Sequence, residues 1–316
     1  MEERLQELLE AALYCHVSDI HFSYYTRQEK VEMAMRFPEG MRRLKPKEGD
    51  TAFFHYLMYR ANLDLSDMSQ PQTGRFEEEL DGKRISLRFA CMSSYGMVSG
   101  VLRLLNNHAD LKVSDLSDDP DTVKWLQKVT SYHEGLVVFT GPTGSGKTTT
   151  LYTLLNETQN KTIYTLEDPI EVYSDHYVQL QVSAERNLSY AQGIRQLMRH
   201  DPDIIMIGEI RDEEAAEGAV RAALTGHLVV STLHSIDCTG AILRLEDLGI
   251  RRSDLQEVLR GISSQRLITE KEGGRKGIYE IMDEKELACW FGNGHCSENF
   301  VPLAKKMEAA EKNFSE

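Results

Sequence analysis

The sequence predicts an α/β protein in two parts: a smaller α+β domain, then a larger domain built on a parallel sheet covered by helices. Three observations carry that expectation. Beyond about residue 135, short continuous apolar runs alternate with helical segments, the pattern of strands buried on both faces. The first hundred or so residues instead alternate apolar with polar positions, as half-buried antiparallel strands do. At 316 residues the chain is also long for a single hydrophobic core.

Taken in order, Leu5, Leu8, Leu9, Ala12 and Leu13 have the spacing of an amphipathic helix. Ile20–Tyr24 and Val31–Phe37 read as strands, and Thr51–Leu63 as a second helix. Arg84–Ala90 and Val98–Leu105 read as later strands of the same antiparallel sheet, which gives a first domain of residues 1–105. Residues 106–121 are polar and turn-rich, with Asp118-Asp-Pro-Asp121, and are expected to form the linker and the entry to a second domain, 122–316. There Val137–Phe139, Thr162–Leu166, Ile204–Ile207 and Leu228–Thr232 are the expected parallel strands. Leu303–Phe314 reads as a peripheral C-terminal helix.

The first of those strands runs into Gly141-Pro142-Thr143-Gly144-Ser145-Gly146-Lys147-Thr148, an unbroken G-x-x-x-x-G-K-[ST] loop, followed by Thr149 and helical spacing. A glycine-rich turn that happens to carry a lysine would not need this strand–loop–helix context; a phosphate-binding loop does. Its glycines let backbone N–H groups converge on phosphate oxygens, at the positive end of the next helix. Lys147 is expected to reach the β- and γ-phosphates, and the Thr148 hydroxyl to hold Mg²⁺. The expected cofactors are therefore ATP and Mg²⁺, with the base pocket too poorly marked to separate ATP from GTP.

Ligands of open α/β sheets sit beyond the carboxyl ends of the strands. Three strands end there in polar residues: Glu167-Asp168, Gly208-Glu209 and His234. Glu167 is the first candidate to orient and deprotonate an attacking water, with Asp168 and Glu171 as alternatives; the competing reading is an acidic helix start. Glu209, delivered by an apolar strand, suits a second acidic position near Mg²⁺. His227 and His234 flank one strand, and a histidine beside a γ-phosphate is able to sense nucleotide state through a hydrogen bond. Arg75, Arg88 and Arg103, taken singly, read as surface solvation or ion pairing.

Composition narrows the class. Formal charge is 36 − 50 = −14, which speaks against sequence-independent capture of nucleic acid, since that relies on clustered Lys and Arg. Five scattered cysteines without a C-x-x-C pair point to neither a disulfide scaffold nor a zinc site. No apolar run approaches the ~18 residues of a membrane span, and Met1-Glu-Glu-Arg-Leu opens no signal peptide, so a cytosolic protein, held at a membrane only through partners, is expected.

Four segments of the second domain together resemble the secretion-ATPase family that powers type II secretion and type IV pili. They are Gly141–Thr148; Thr165-Leu-Glu-Asp-Pro-Ile-Glu171, similar to the aspartate box; Leu197–Asp212, similar to the Walker B signature; and Thr225–His234, similar to the histidine box. The resemblance continues through Ser18-Asp-Ile-His21, Gln72-Thr-Gly-Arg75-Phe and the segments of Arg88 and Arg103, and so spans nearly the whole chain. It implies a RecA-like P-loop NTPase domain preceded by a PAS-like domain, assembled as a hexameric ring. It also implies that Arg75, Arg88 and Arg103 reach the phosphates, that Glu167 is the catalytic glutamate, Glu209 the Walker B acid, and His234 the histidine-box residue. The implied partners are further copies of the chain, an integral-membrane pilus platform protein and, indirectly, pilins, with no direct nucleic acid contact. The chain has no four-cysteine zinc module between Ser264-Gln-Arg-Leu267 and Gly277–Ile281, and begins almost at the PAS-like domain. That short form is most similar to competence-pilus assembly ATPases of Gram-positive bacteria, which serve DNA uptake; a pilus retraction ATPase and a RecA-like nucleic-acid motor are the alternative readings. Where the family's Arg88-bearing strand runs into a Pro-Thr and a Gly-Glu turn, this chain has Phe89–Val98 instead.

Overall fold

The structure, a computed structural model, describes all residues except 16, 38–39, 106–110, 183–187, 270–274 and 316. It divides into two compact units, Met1–Asn107 and His108–Glu316.

The first unit comprises helix α1 (Glu2–Tyr14), strands β1 (Asp19–Tyr25), β2 (Lys30–Phe37) and β3 (Gly40–Arg43), helix α2 (Asp50–Arg60), and strands β4 (Gln72–Leu80), β5 (Lys83–Ser94) and β6 (Met97–Leu105). The strands form one antiparallel sheet in the order β3-β2-β1-β6-β5-β4. Period-2 alternation turns Ile20, Phe22 and Tyr24 of β1 toward the core, where they meet the buried helical residues Leu5, Leu8, Leu9, Phe53, Phe54 and Leu57. Phe89 packs edge-on against Phe22 and Phe54, with ring centroids 5.7 and 5.5 Å apart. Strands β3 and β4, at the two edges of the sheet, escape the apolar pattern. All of β3 is exposed, and β4 carries Glu77, Glu78 and Glu79, so neither shows an alternating core face.

The second unit begins with a 3₁₀ turn at Val113–Asp115 and α3 (Pro120–Val129). Val113 and Leu116 are buried in its core, so part of the expected linker packs as domain; residues 106–110 lie outside the described residues. There follow β7 (Gly135–Thr140), α4 (Lys147–Glu157), β8 (Ile163–Glu167), β9 (Val178–Gln181), α5 (Tyr190–Leu197), β10 (Ile204–Ile207), α6 (Glu213–Leu224) and β11 (Leu228–Leu233). The chain continues through α7 (Cys238–Asp247), α8 (Arg252–Val258), β12 (Leu259–Thr269), β13 (Arg275–Met282), α9 (Glu284–Asn293) and α10 (Leu303–Ser315). The sheet order is β13-β12-β7-β11-β10-β8-β9, parallel throughout except for the β12–β13 hairpin.

Both faces of this sheet are buried, which is why its central strands are mostly apolar, with Thr165, Ser231 and Thr232 as buried polar exceptions. Leu136, Val138, Ile205, Ile207 and Val229 pack with α5, α6, α7 and α8 on one face. Val137, Phe139, Ile204, Met206 and Val230 pack with α3 and α4 on the other. Strand β12 was illegible in sequence because it buries Ser263, Ser264 and Gln265 in place of an apolar run. The C-terminal helix is anchored at its head, where Leu303 is buried, while residues 304–310 are exposed or half-buried. Buried Glu280 accepts from the Leu303 N–H at its head (2.7 Å) and, through its other oxygen, from the Cys238 N–H at the head of α7 (2.7 Å). Among the described residues, no helix is long and apolar enough to cross a membrane.

Gly74 lies where β4 passes the end of α2, and a Cβ built there would stand 1.8 Å from the Ala61 carbonyl oxygen. Gly74→Ala should therefore destabilise the chain by about 1–3 kcal/mol in urea unfolding. Gly292→Ala, in α9 with nothing within 4 Å, should instead raise stability by up to about 1 kcal/mol.

Candidate active site

Parallel pairing brings the carboxyl ends of β7, β11, β10 and β8 to one edge of the second sheet. The phosphate loop leaves β7 at that edge. Gly141, Gly144 and Gly146 take φ values of +141°, +80° and +86°, which side chains resist, and Gly146 caps the start of α4. A Cβ at Gly141 would stand 2.6 Å from the Gln265 carbonyl oxygen and 2.7 Å from Ser145 Oγ, so the loop admits only hydrogen there. Pro142, Thr143 and Gly144 are exposed, Thr148 and Thr149 half-buried, and Lys147 is buried.

The loop is clamped from β12 and β13 by residues that no motif flagged. Gln265 Nε2 donates to the Ser145 carbonyl (2.8 Å) and to Thr150 Oγ1 (3.2 Å), and Thr150 Oγ1 shares a 2.9 Å hydrogen bond with the Tyr279 hydroxyl. Arg266 donates to the carbonyls of Gln265 (2.9 Å) and Ile236 (3.1 Å), which seats its guanidinium beside the loop.

Lys147 Nζ donates to the carbonyls of Gly141 (2.8 Å) and Pro142 (3.1 Å). Burial pushes its pKa down; Glu209 opposes that effect, Arg266 adds to it, and Glu171 opposes it again. The ammonium thus lies within electrostatic reach of two carboxylates and a guanidinium. Such a group gains most from an anion, because its desolvation is incompletely compensated.

Glu209 follows β10, and its loop is pinned by hydrogen bonds from Thr232 Oγ1 to the Gly208 carbonyl (2.7 Å) and from the Ile210 N–H to the Thr232 carbonyl (2.9 Å). One carboxylate oxygen accepts from Arg211 Nε at 2.8 Å; the other lies 3.2 Å from His234 Nε2. Arg211 also pairs with Asp168 at 3.7 Å, and its hydrogen bond to Glu209 holds its pKa up. Glu209 and His234, both anticipated, therefore meet. His227 does not join them: it lies at the opposite, amino end of β11, with Nδ1 3.2 Å from the Ala222 carbonyl at the end of α6.

Glu167 ends β8 but turns into the protein. It is 2 % exposed. Its carboxylate accepts hydrogen bonds from the Tyr152 hydroxyl, from Thr165 Oγ1 (2.7 Å) and from Gln179 Nε2 (3.2 Å). Burial raises its pKa above the ordinary 4.5, and these donors only partly offset the shift. Glu171, four residues on, is exposed and contributes to the field at Lys147. Of the acids in this box, the structure thus places Glu167 in the interior and Glu171 at the surface.

In the first unit, Arg75 on β4 is the register partner of Arg88 on β5, and Arg88 of Arg103 on β6. Three arginines that looked scattered in sequence thus form one cross-strand row. Like charges directly opposite destabilise a sheet unless an anion intervenes. Asp19, next in the row, accepts from Arg103 Nε at 2.6 Å. Burial raises the Asp19 pKa, but hydrogen bonds from Arg103 and Ser18 outweigh it and hold it low. The segment that replaces the Pro-Thr and Gly-Glu pattern forms a β5–β6 hairpin closed by Tyr95-Gly96, so Arg88 keeps its place in the ladder.

Residues 1–302 match the protein family described as Type II/IV secretion system protein. The chain is similar to the competence protein ComGA of Bacillus subtilis (strain 168), 33% identical over 313 residues, covering 98% of this chain and 83% of that protein. It is 37% identical over 270 residues to the type II secretion system protein E of Pseudomonas aeruginosa, covering 84% of this chain but only 53% of that relative. Among solved structures it is similar to the pilus retraction motor PilT with bound ADP, with a TM-score of 0.71 and 27% identity over 97% of this chain and 89% of that one. The Legionella pneumophila ATPase DotB shares the fold with a TM-score of 0.73, at 23% identity over 100% of this chain and 88% of that one.

Because the folded-state pKa of Glu167 is raised, its contribution to stability is complete below about pH 4.5 and lost as pH climbs through the raised value. Glu167→Gln should erase that component. Urea midpoints measured from pH 4 to 8 should show wild type falling relative to the variant as pH rises.

Proposed function

This chain belongs to the type II/IV secretion system protein family, and from that premise we propose that it is an ATP-hydrolysing motor driving assembly of a competence-type pilus for DNA uptake. The single observation that carries the reading is the phosphate loop, with buried Lys147 at the sheet edge where Glu209, His234 and the Glu171 loop converge. Similarity to the competence protein ComGA over nearly the whole chain supports the competence setting.

The residues fit a magnesium nucleotide. Three glycines and the head of α4 form a cradle in which a Cβ at Gly141 would collide. The loop Gly141–Thr149 would hold the triphosphate, its N–H groups and Lys147 taking phosphate oxygens in place of the loop carbonyls. Thr148 and Glu209 supply the oxygen donors a hard divalent cation requires. Bound Mg²⁺ would neutralise charge on the β- and γ-oxygens.

The remaining work falls to the chain. Glu171 accepts a proton from the attacking water, in place of the Glu167 first expected to do so. Glu209, held between Arg211 and His234, keeps a carboxylate beside Lys147, and His234 reads the γ-position through its imidazole. The arginine row of Arg75, Arg88 and Arg103 is the kind of cation array that phosphoryl transfer uses, where arginines delivered to the transition state are worth about 10³–10⁵ in turnover. The first unit serves as the PAS-like domain of a hexameric ring on the cytoplasmic face of the membrane, where an integral-membrane platform protein passes the motion to pilins.

Lys147→Ala should lower Mg²⁺-dependent ATP hydrolysis by about 10²–10³-fold, and Glu171→Gln should do so with nucleotide binding retained. Steady-state phosphate release and fluorescent-ADP titration check both. Wild-type turnover in Lys147→Ala would remove the basis of the reading, and surface pili that persist in a deletion strain would redirect it to retraction.

A further inference from the structure

Glu167 leads beyond the reaction itself, because a buried carboxylate with only neutral donors is an expensive way to fill a core. An apolar residue of similar volume would usually serve stability as well or better. What the network provides is connection. Tyr152 sits on α4, five residues past Lys147 and so about 7.5 Å along the helix from the phosphate loop. Its hydroxyl donates to Glu167 Oε2 and lies 3.5 Å from the Val172 N–H. Glu167 Oε1 accepts from Gln179 Nε2, which also donates to the Val172 carbonyl at 2.8 Å, while Gln179 Oε1 accepts from the Ser174 N–H at 2.9 Å. The Glu171 backbone N–H also acts on the Glu167 carboxylate, lowering its pKa. Tyr177 stacks on Tyr152 at 6.2 Å and donates to Asn156 on α4 at 3.3 Å. The segment 172–177, directly after Glu171, is thus tied at Val172, Ser174 and Tyr177 to a core built from α4, β8 and β9.

We propose that Tyr152 and Gln179 are positioning residues for Glu171, joined through Glu167 into a brace that sets the water-activating carboxylate from the phosphate-loop helix. The inference rests on the assignment of Glu171 as the proton acceptor. From α4 the connection to the Glu171 segment runs through the Tyr152 hydroxyl to the Glu167 carboxylate and, directly, to the Val172 N–H beside Glu171. Misplacing a reacting group by about 1 Å costs up to about 100-fold in rate, so removing either arm of the brace should act on turnover while leaving binding intact.

The test uses the full chain. Tyr152→Phe keeps the ring and its stacking on Tyr177 but deletes the hydroxyl. Its kcat should fall about 10- to 100-fold, with KM for ATP and fluorescent-ADP affinity changed by less than about twofold. If Tyr152→Phe does not fold, Gln179→Met, which cuts the other arm, is read by the same criteria. In the double variant Tyr152→Phe/Glu171→Gln, turnover should be no slower than in Glu171→Gln alone, because a misplaced base that is already absent has nothing more to lose. Unchanged kcat in Tyr152→Phe, a matched loss of kcat and nucleotide affinity, or additive losses in the double variant would each overturn the brace. Wild-type kcat in Glu171→Gln would instead sink the assignment beneath it, so the two failures are told apart.

Discussion

In a parallel sheet every strand runs the same way, so β7, β11, β10 and β8 have no choice but to deliver their carboxyl ends to one edge. The connections between them must return across the faces as helices, which buries both faces and makes the central strands mostly apolar. Charged residues of those strands, such as Glu167, fall at the ends. The candidate site is the consequence: a phosphate loop, an acid box, a second acid and a histidine gathered on one rim without any of them disturbing the core.

That rim concentrates charge in partly buried surroundings. Lys147 carries the penalty of burial, while Glu209 is shared between Arg211 and His234, and Arg211 reaches on to Asp168. A mixed network of this kind needs rigid supports, because a loosely held charge would find water or a wrong partner. The supports are neutral: Gln265 and Tyr279 on the phosphate loop, Thr232 on the Glu209 loop, Tyr152 and Gln179 on the Glu171 loop. The first unit follows a different rule, lining Arg75, Arg88 and Arg103 along one register row, with Asp19 paired to Arg103.

The parts legible in sequence are those where local chemistry leaves little freedom. An unbroken Gly141–Thr148 loop between a strand and a helix has few other uses, and Glu209 and His234 announce themselves by ending apolar strands. Glu167 ends one too, yet it is buried. Its side chain points to the hydrogen-bonding pocket between α4 and β9, a direction set by partners 12 to 15 residues away in sequence. Gln265 and Tyr279, which clamp the loop, lie over a hundred residues from it and on strands whose buried polar content hid them.

Sequence by itself determined the periodicities, and with them most of the elements, the two-part organisation, the family and the loop that binds phosphate, because each of these depends on residues adjacent in the chain. Tertiary structure alone decided which carboxylate of the acid box is buried and which faces water, which histidine reaches Glu209, and that three distant arginines share one row. Those outcomes depend on strand order, register and packing partners brought together by burial, and a carboxylate carries no mark in its own neighbourhood of which oxygens and amides the fold will place around it.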